Sequence, residues 1–145
     1  MKIALRKMTE SAQIPVRGSL QAAGYDLFAD LSEAVTILPQ ETKMVGTGIA
    51  CAIPDGYFGG IYARSGLSAK EGLRPANCTG VVDSDYRGEI KVALHNDSKE
   101  SRTILPGQKI AQMVVQAFLP VEFETVEDLD ATERGGGGFG STGKL

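Results

Sequence analysis

Short runs rich in Val, Ile, Thr and Tyr, separated by Gly, Pro, Asp or Ser, restrict the possible folds of this sequence most strongly. Residues of these types favour the pleated, half-buried positions of β-strands. The predicted strands cover residues 2–7, 25–29, 35–38, 44–53, 58–63, 89–96, 102–105 and 110–118. The turn sequences between them fit a sandwich or jelly roll rather than alternating strands and helices. A single short helix is predicted over residues 65–71.

The chain of 145 residues has the size of one domain with one hydrophobic core. Its hydrophobic fraction of 42% and charged fraction of 23% are typical of a folded globular protein. The net charge is −3, and the basic residues form no stripe along the chain, so no nucleic acid polymer is predicted as a partner. No segment has the pattern of a signal peptide or a membrane span. We therefore expect a cytoplasmic protein, or one inside the host cell if viral, with the nucleus as the alternative in a eukaryote.

Cys51 and Cys78 lie far apart and lack the spacing of metal ligands. Both are predicted to be small buried hydrophobic residues in a reducing compartment, with a structural disulfide or zinc site as the disfavoured alternative. His95 is the only histidine, which excludes a metal site built on a histidine pair, and it is predicted to lie on a strand face.

The glycine-rich stretch from Ala131 onward divides the chain into a predicted β domain, 1–130, and a mobile C-terminal arm, 131–145. Glycine-rich ends are usually disordered. The arm also resembles the start of a P-loop, but Leu145 stands at the Ser/Thr position and no helix follows, which excludes that motif. Its backbone amides and hydroxyl groups can still wrap a polyphosphate. Arg134 can add a charge-assisted hydrogen bond to it.

Residues 62–68 follow a predicted strand and open the predicted helix. Arg64, the hydroxyl of Ser65 and the first amides of the helix would converge on an anion. The alternative is that Ser65 only caps the helix, and this cluster alone favours capping.

Two aspartates and one glutamine occupy positions that require an explanation. Asp83 lies in an acidic turn, where aspartates ordinarily bond local amides, but it can instead act as a general base for water with Tyr86 as an apolar wall. Asp26 lies in an apolar strand and needs a partner, either a cation such as an arginine or a hydrated Mg²⁺. Gln112 lies within a strand, where its amide can bridge backbone groups.

In chain order, five segments resemble the motifs of the homotrimeric dUTPase family: AAGYDLFA, YARSGLSAK, NCTGVVDSDYRGEI, PGQKIAQ and RGGGGFGSTG. The resemblance implies an all-β jelly-roll or distorted-barrel subunit with one short helix and a flexible arm. It implies a homotrimer whose active sites lie at subunit interfaces, each closed by an arm. The implied reaction is hydrolysis of dUTP to dUMP and pyrophosphate with Mg²⁺, which limits uracil incorporation into DNA and supplies dUMP for dTMP synthesis.

The resemblance also implies roles for individual residues. Asp83 matches the base that activates water against the α-phosphorus, and Asp26 matches the residue that supports Mg²⁺ through its waters. The residues implied to bind the phosphates are Arg64, Ser65, Gly66, Gln112, Arg134, Gly140, Ser141, Thr142 and Gly143. The residues implied to bind base and sugar are Asn77, Gly80, Val81, Val82, Tyr86, Lys91 and Phe139. Gln108-Lys109 stands where the family commonly has Asp-Arg, a departure that affects a local salt bridge rather than the chemistry.

Two other functions are compatible with parts of the pattern. A dCTP deaminase shares the implied fold and triphosphate handling but needs a catalytic glutamate beside the hairpin around residues 77–88, and none is identified there. A non-catalytic nucleotide sensor on the same fold is disfavoured by the intact Asp26, Asp83 and Gln112.

Overall fold

A computed structural model of the chain describes residues 1–138, and these residues form an almost entirely β architecture. The strands are β1 Ala4–Lys7, β2 Val16–Arg17, β3 Tyr25–Phe28, β4 Val35–Ile37, β5 Thr42–Gly46, β6 Ile49–Ala52, β7 Tyr57–Tyr62, β8 Leu73–Pro75, β9 Gly80–Val82, β10 Lys91–Asn96, β11 Arg102–Ile104 and β12 Lys109–Ala117. One short π-helix, Leu67–Glu71, lies between β7 and β8.

The largest sheet has the antiparallel order β2-β3-β12-β7-β9 and positions most of the residues that matter for function. Successive side chains along a strand point to opposite faces. One face packs into the hydrophobic core through residues such as Leu27 and Ile61. The opposite face carries Asp26, Gln112 and Tyr62, which are aligned in register across β3, β12 and β7. The smaller sheets are β5-β10-β8, β1-β6 and β11-β4.

The prediction of an all-β chain is confirmed, but the single strand predicted over 44–53 is wrong. The chain turns between β5 and β6, where Gly48 has a left-handed φ of 64°. Glu89 accepts a hydrogen bond from the Gly48 amide at 3.0 Å, and the Thr47 hydroxyl donates to the Ile90 carbonyl at 2.6 Å. These partners, distant in sequence, stabilise a turn that the apolar sequence of residues 44–53 does not indicate. Strands β2 and β8, of two and three residues, were not predicted, whereas β9 is the apolar strand expected before Asp83.

The helix lies within the predicted range, but the interpretation of Ser65 as its N-cap is wrong. The N-cap position falls on Gly66, which has no side chain with which to accept a hydrogen bond. The helix ends at Gly72, whose left-handed φ of 71° allows its amide to bond the carbonyl of Leu67.

The two cysteines have different environments, so their predicted burial is correct for one only. Cys51 is buried, and this burial raises the pKa of its thiol. Cys78 is exposed, because it occupies a turn before β9 with a left-handed φ of 59°. Its sulfur lies 4.0 Å from Nη1 of Arg74.

The segment after β12 has no helix or strand from residue 118 to residue 138. Several of its apolar side chains are exposed, among them Phe123 and Leu129. The boundary predicted between residues 130 and 131 stays a prediction. No helix within residues 1–138 is both long and apolar enough to cross a membrane.

Candidate active site

A cavity of about 320 Å³ opens beside the end of β9. Five of the residues implied by the resemblance line it, so the fold brings them to one cavity: Val81, Val82, Asp83, Tyr86 and Lys91. The Asp83 side chain is therefore at the wall of a pocket large enough for part of a nucleotide.

The position of Tyr86 in this cavity is fixed by local backbone contacts. Its hydroxyl donates to the Glu89 carbonyl at 2.9 Å, and its amide donates to the Asp83 carbonyl at 3.2 Å. Arg87 closes the same turn by donating to the carbonyls of Ser84 and Tyr86 at 2.5 and 3.0 Å. These hydrogen bonds within residues 83–89 fix the position of the aromatic ring.

Three further residues line the cavity that sequence reasoning missed: Met44, Glu89 and Ile90. The absence of a glutamate beside the hairpin was therefore a wrong expectation, since Glu89 directly follows the motif's Arg-Gly pair. Its carboxylate lies 3.3 Å from Nζ of Lys91 and also accepts the Gly48 amide. These contacts compensate its charge, so it is not a free acid. Met44 is brought to the cavity only by the pairing of β5 with β10, opposite Ala93.

Asn77 and Gly80 line a second cavity of about 150 Å³ that shares Met44, Val81, Val82 and Lys91 with the first. Strand β9 forms one edge of the five-stranded sheet and, within residues 1–138, pairs with β7 only, whereas β10 pairs with β5 and β8. The hairpin expected around residues 77–88 is therefore not a pair of hydrogen-bonded strands but β9 followed by the turn that carries Asp83 and Tyr86, and this segment is still called the hairpin. An edge strand presents a row of backbone donors and acceptors on its outer side. Uracil carries alternating acceptor, donor and acceptor groups on its pairing edge, which this kind of backbone row can match.

A second cluster surrounds Asp26 on the polar face of the sheet. Oδ1 of Asp26 lies 2.9 Å from Nε of Arg64, and Oδ2 lies 2.8 Å from Nζ of Lys109. The arginine is one of the two partners that the sequence allows for this carboxylate, and a lysine joins it. Lys109 belongs to the Gln108-Lys109 pair that departs from the family pattern, and it still forms an ion pair.

Gln112 lies in register with Asp26 and is oriented by two neighbours. Its Nε2 donates to the Ala63 carbonyl at 2.9 Å. A Cβ at position 24 would collide with the amide oxygen of Gln112 and would lie 3.1 Å from its Cδ. Gly24 therefore provides the space that the Gln112 side chain occupies. Sequence reasoning missed this role of Gly24, although the residue lies within the first motif.

Ser65 and Gly66 follow Arg64 at the exposed end of β7. Gly66 has an ordinary helical φ of −62°, and apart from its chain neighbours and the helix's own backbone, no atom of residues 1–138 lies within 4 Å of a Cβ placed there. Neither backbone strain nor crowding within this part of the chain requires a glycine at position 66. The open space beside its backbone is available to a ligand.

Arg134 lies in the segment after β12, where its Nε donates to the Gly137 carbonyl at 2.7 Å. The structure does not bring it to either cavity. The remaining predicted arm residues lie outside the described residues: Phe139, Gly140, Ser141, Thr142 and Gly143.

The two clusters lie at opposite ends of β7. Gln112 pairs with Tyr62, the last residue of that strand, whereas Asp83 follows Val82, which pairs with Gly59. Four residues along the strand and two strand spacings across it separate Asp83 from Gln112, roughly 16 Å. Because the Gln112 amide bonds the carbonyl of Ala63, it points further from Asp83. Within one chain, the two clusters do not form a continuous site.

The two clusters differ in whether their charged side chains form ion pairs. In the Asp26 cluster the anion and its cations are paired, whereas no ion pair involves Asp83 within residues 1–138.

Behind the hairpin, hydrogen bonds from Arg74 to Asp97 lower the pKa of Asp97 and raise that of Arg74. Residues 1–138 contain no group of three His, Cys, Asp or Glu side chains arranged to hold a metal ion.

Comparison with known proteins adds a family assignment to this geometry. The family model described as dUTPase matches residues 10–143. A deoxyuridine 5'-triphosphate nucleotidohydrolase from Nautilia profundicola is 47% identical over 144 residues, which cover 99% of this chain and 100% of that protein.

Solved structures show the same fold. A variant of the Staphylococcus bacteriophage 80alpha dUTPase with dUpNHpp matches with a TM-score of 0.89 and 29% identity, covering 99% of both chains. A dUTPase variant from phage phi11 of S. aureus, described as revealing the coordination of a structural Mg(II) ion, matches with a TM-score of 0.81 and 28% identity. That match covers 90% of this chain and all of the phage chain. The predicted jelly-roll fold is thereby confirmed.

Proposed function

Because this chain belongs to the dUTPase family, we propose that it hydrolyses dUTP to dUMP and pyrophosphate. The observation that carries the proposal is the cavity at the end of β9, which combines Asp83 and Tyr86 with the edge of a sheet. It offers a carboxylate, an aromatic wall and backbone hydrogen-bonding groups, which are the groups needed to bind and cleave a pyrimidine deoxynucleotide.

Asp83 acts as the general base in this proposal. Its carboxylate takes a proton from a water molecule, and the water oxygen forms a bond to the α-phosphorus. The bond from that phosphorus to the oxygen bridging the α- and β-phosphates breaks, and its electron pair leaves with pyrophosphate. The absence of an ion pair at Asp83 within residues 1–138 supports this role, because a base must be free to accept the proton.

Base and sugar selection are assigned to the hairpin. The outer backbone groups of β9 pair with uracil, and cytosine is rejected because its amino group would leave a backbone donor without an acceptor. Tyr86 packs against the deoxyribose and leaves no space for a 2′-hydroxyl group. Asn77, Gly80 and Lys91 complete this side of the site, as the resemblance implies.

Phosphate binding is assigned to Arg64, Ser65, Gly66 and Gln112, supported by the open space at Gly66. Arg134 and the arm residues Phe139, Gly140, Ser141, Thr142 and Gly143 are proposed to close over the nucleotide, with Phe139 stacked on uracil. The arm would also exclude bulk water from the reacting phosphate, apart from the one water molecule that Asp83 activates.

Mg²⁺ fits this site as part of the substrate rather than as an ion held by a protein cage. Both oxygens of Asp26 already bond cations, and residues 1–138 offer no three-ligand cluster. Mg²⁺ commonly keeps its waters and binds through substrate phosphates. We therefore assign Asp26 a contact to the metal–nucleotide complex through water.

A shared site in a homotrimer explains how both clusters can serve one nucleotide. The separation of roughly 16 Å between Asp83 and Gln112 of one chain argues for a site that joins the hairpin of one copy to the Arg64 cluster of another. The enzyme would act in the cell interior, where it would lower dUTP, limit uracil in DNA and supply dUMP for dTMP synthesis.

The decisive experiment incubates the full chain and Mg²⁺ with dUTP, dCTP, dTTP and UTP and measures both pyrophosphate and ammonia. We expect rapid pyrophosphate release from dUTP alone. Ammonia from dCTP would instead establish a deaminase, and binding without any product would establish a nucleotide sensor. Asp83→Asn should keep nucleotide binding and lose about 10²–10⁴-fold in kcat. Asp85→Asn, in the same turn, should change neither binding nor kcat. Equal effects of the two substitutions would contradict the assignment of the base.

A further inference from the structure

Gly88 lies directly against the aromatic ring of Tyr86. A Cβ at position 88 would lie 2.5 Å from the Tyr86 hydroxyl oxygen and 2.6 Å from Cζ. Real Cβ atoms essentially never approach other atoms this closely, so a side chain at position 88 and the present ring position exclude one another.

The requirement at position 88 is one of space rather than backbone conformation. Gly48, Gly56, Gly72 and Gly107 have left-handed φ angles, but Gly88 does not. An alanine could therefore adopt the backbone of Gly88 without strain. What it could not do is leave the Tyr86 ring in place.

The Tyr86 ring can move out of the cavity wall, which determines which part of the structure a substitution at position 88 affects. Tyr86 is 45% exposed, so its side chain can swing outward into solvent instead of forcing the sheet apart. In doing so, it would lose the hydrogen bond from its hydroxyl to the Glu89 carbonyl. The effect should fall on the cavity wall and leave the buried core unchanged.

We propose that Gly88 is a positioning residue that determines sugar specificity by holding Tyr86 in the cavity wall. The inference rests on the proposed dUTP hydrolysis and adds a residue to which the resemblance assigns no role. With alanine at position 88, the displaced ring would leave space for a 2′-hydroxyl group. Discrimination between dUTP and UTP would then fall.

The measurement is the ratio of kcat/KM for dUTP to kcat/KM for UTP, with the thermal unfolding midpoint recorded for each variant. We expect Gly88→Ala to lower the ratio about tenfold or more, in line with the discrimination that one hydroxyl group supports in a shaped pocket. Gly18→Ala is the matched control, because Gly18 has an ordinary φ and open space around its Cβ position. It should leave the ratio unchanged.

A double-mutant cycle separates positioning from a general structural effect. If Gly88 acts through Tyr86, Gly88→Ala should lower the ratio in the parent protein but have no further effect in a Tyr86→Ala background. An equal fall in both backgrounds, or no fall in the parent, would overturn the inference.

The remaining outcomes are also informative. A parent protein that leaves dUTP intact overturns the proposed function together with this inference, whereas an active parent with an insensitive ratio overturns the inference alone. If Gly88→Ala does not fold, Tyr86→Phe keeps the ring, adds no atom and removes the bond to the Glu89 carbonyl. It should lower the ratio by a smaller factor, and an unchanged ratio would overturn positioning by this backbone segment.

Discussion

Replacing Asp26 with asparagine tests whether this carboxylate serves the folded chain through its cations. The side chain is 12% exposed and lies 2.9 Å from Arg64 and 2.8 Å from Lys109. Removing one partner of a buried ion pair costs about 3–5 kcal/mol, because the other charge stays buried without compensation. Here the Arg64 and Lys109 side chains are 34% and 40% exposed, so water replaces part of the lost interaction. We expect a loss of about 2 kcal/mol in the free energy of unfolding.

The assay is urea unfolding at fixed protein concentration, supported by thermal scans in which the midpoint should fall by about 6 °C. Each measurement is made in EDTA and again with Mg²⁺. Asp55→Asn, in an exposed turn, is the matched control and should change neither quantity. Equal stability of the two variants in EDTA would refute the reasoning from the ion pairs. A loss of stability that appeared only with Mg²⁺ would show instead that the carboxylate binds the metal before the nucleotide arrives.

Three further expectations follow from other contacts. Gly24→Ala should displace the Gln112 side chain and lower kcat about tenfold or more, measured by pyrophosphate release, with little change in the unfolding midpoint. Asn96→Leu should lower the free energy of unfolding by about 3 kcal/mol or more in urea titrations, because the fully buried amide bonds four backbone and side-chain groups. Since Arg74 lowers the pKa of Asp97 in the folded state, this pair stabilises the protein at neutral pH and ceases to do so as pH falls through that lowered pKa. Asp97→Asn should therefore flatten the acid limb of stability against pH, and an unchanged limb would refute this.

The strands were predictable because runs of apolar β-branched residues indicate a β-strand from local sequence alone. The break at Gly48 was not, because the groups that stabilise it, the Glu89 carboxylate and the Ile90 carbonyl, lie some forty residues further along the chain. Cys78 was predicted to be buried from its residue type alone, and the left-handed turn that exposes it has no sequence pattern of its own.

The site shows the same division between local and distant information. The residues around Asp83 were predictable as a group because they are close in sequence and lie in one segment, β9 and the turn that follows it. The sequence does not determine the partner of Asp26, since Arg64 and Lys109 reach it only through the order of strands in the sheet. Gly24 and Gly88 were missed because their importance depends on which side chain occupies the space above them.

The placement of Asp83 and Arg64 at opposite ends of β7 has a genetic consequence under the proposed shared site. A chain lacking Asp83 still carries an intact Arg64 cluster, and a chain lacking Arg64 still carries an intact hairpin. Two alleles that are each inactive alone could then complement one another when their products assemble together. A cell that carries the two defects in separate gene copies would retain some activity. A chain that carries both defects would contribute to no active site.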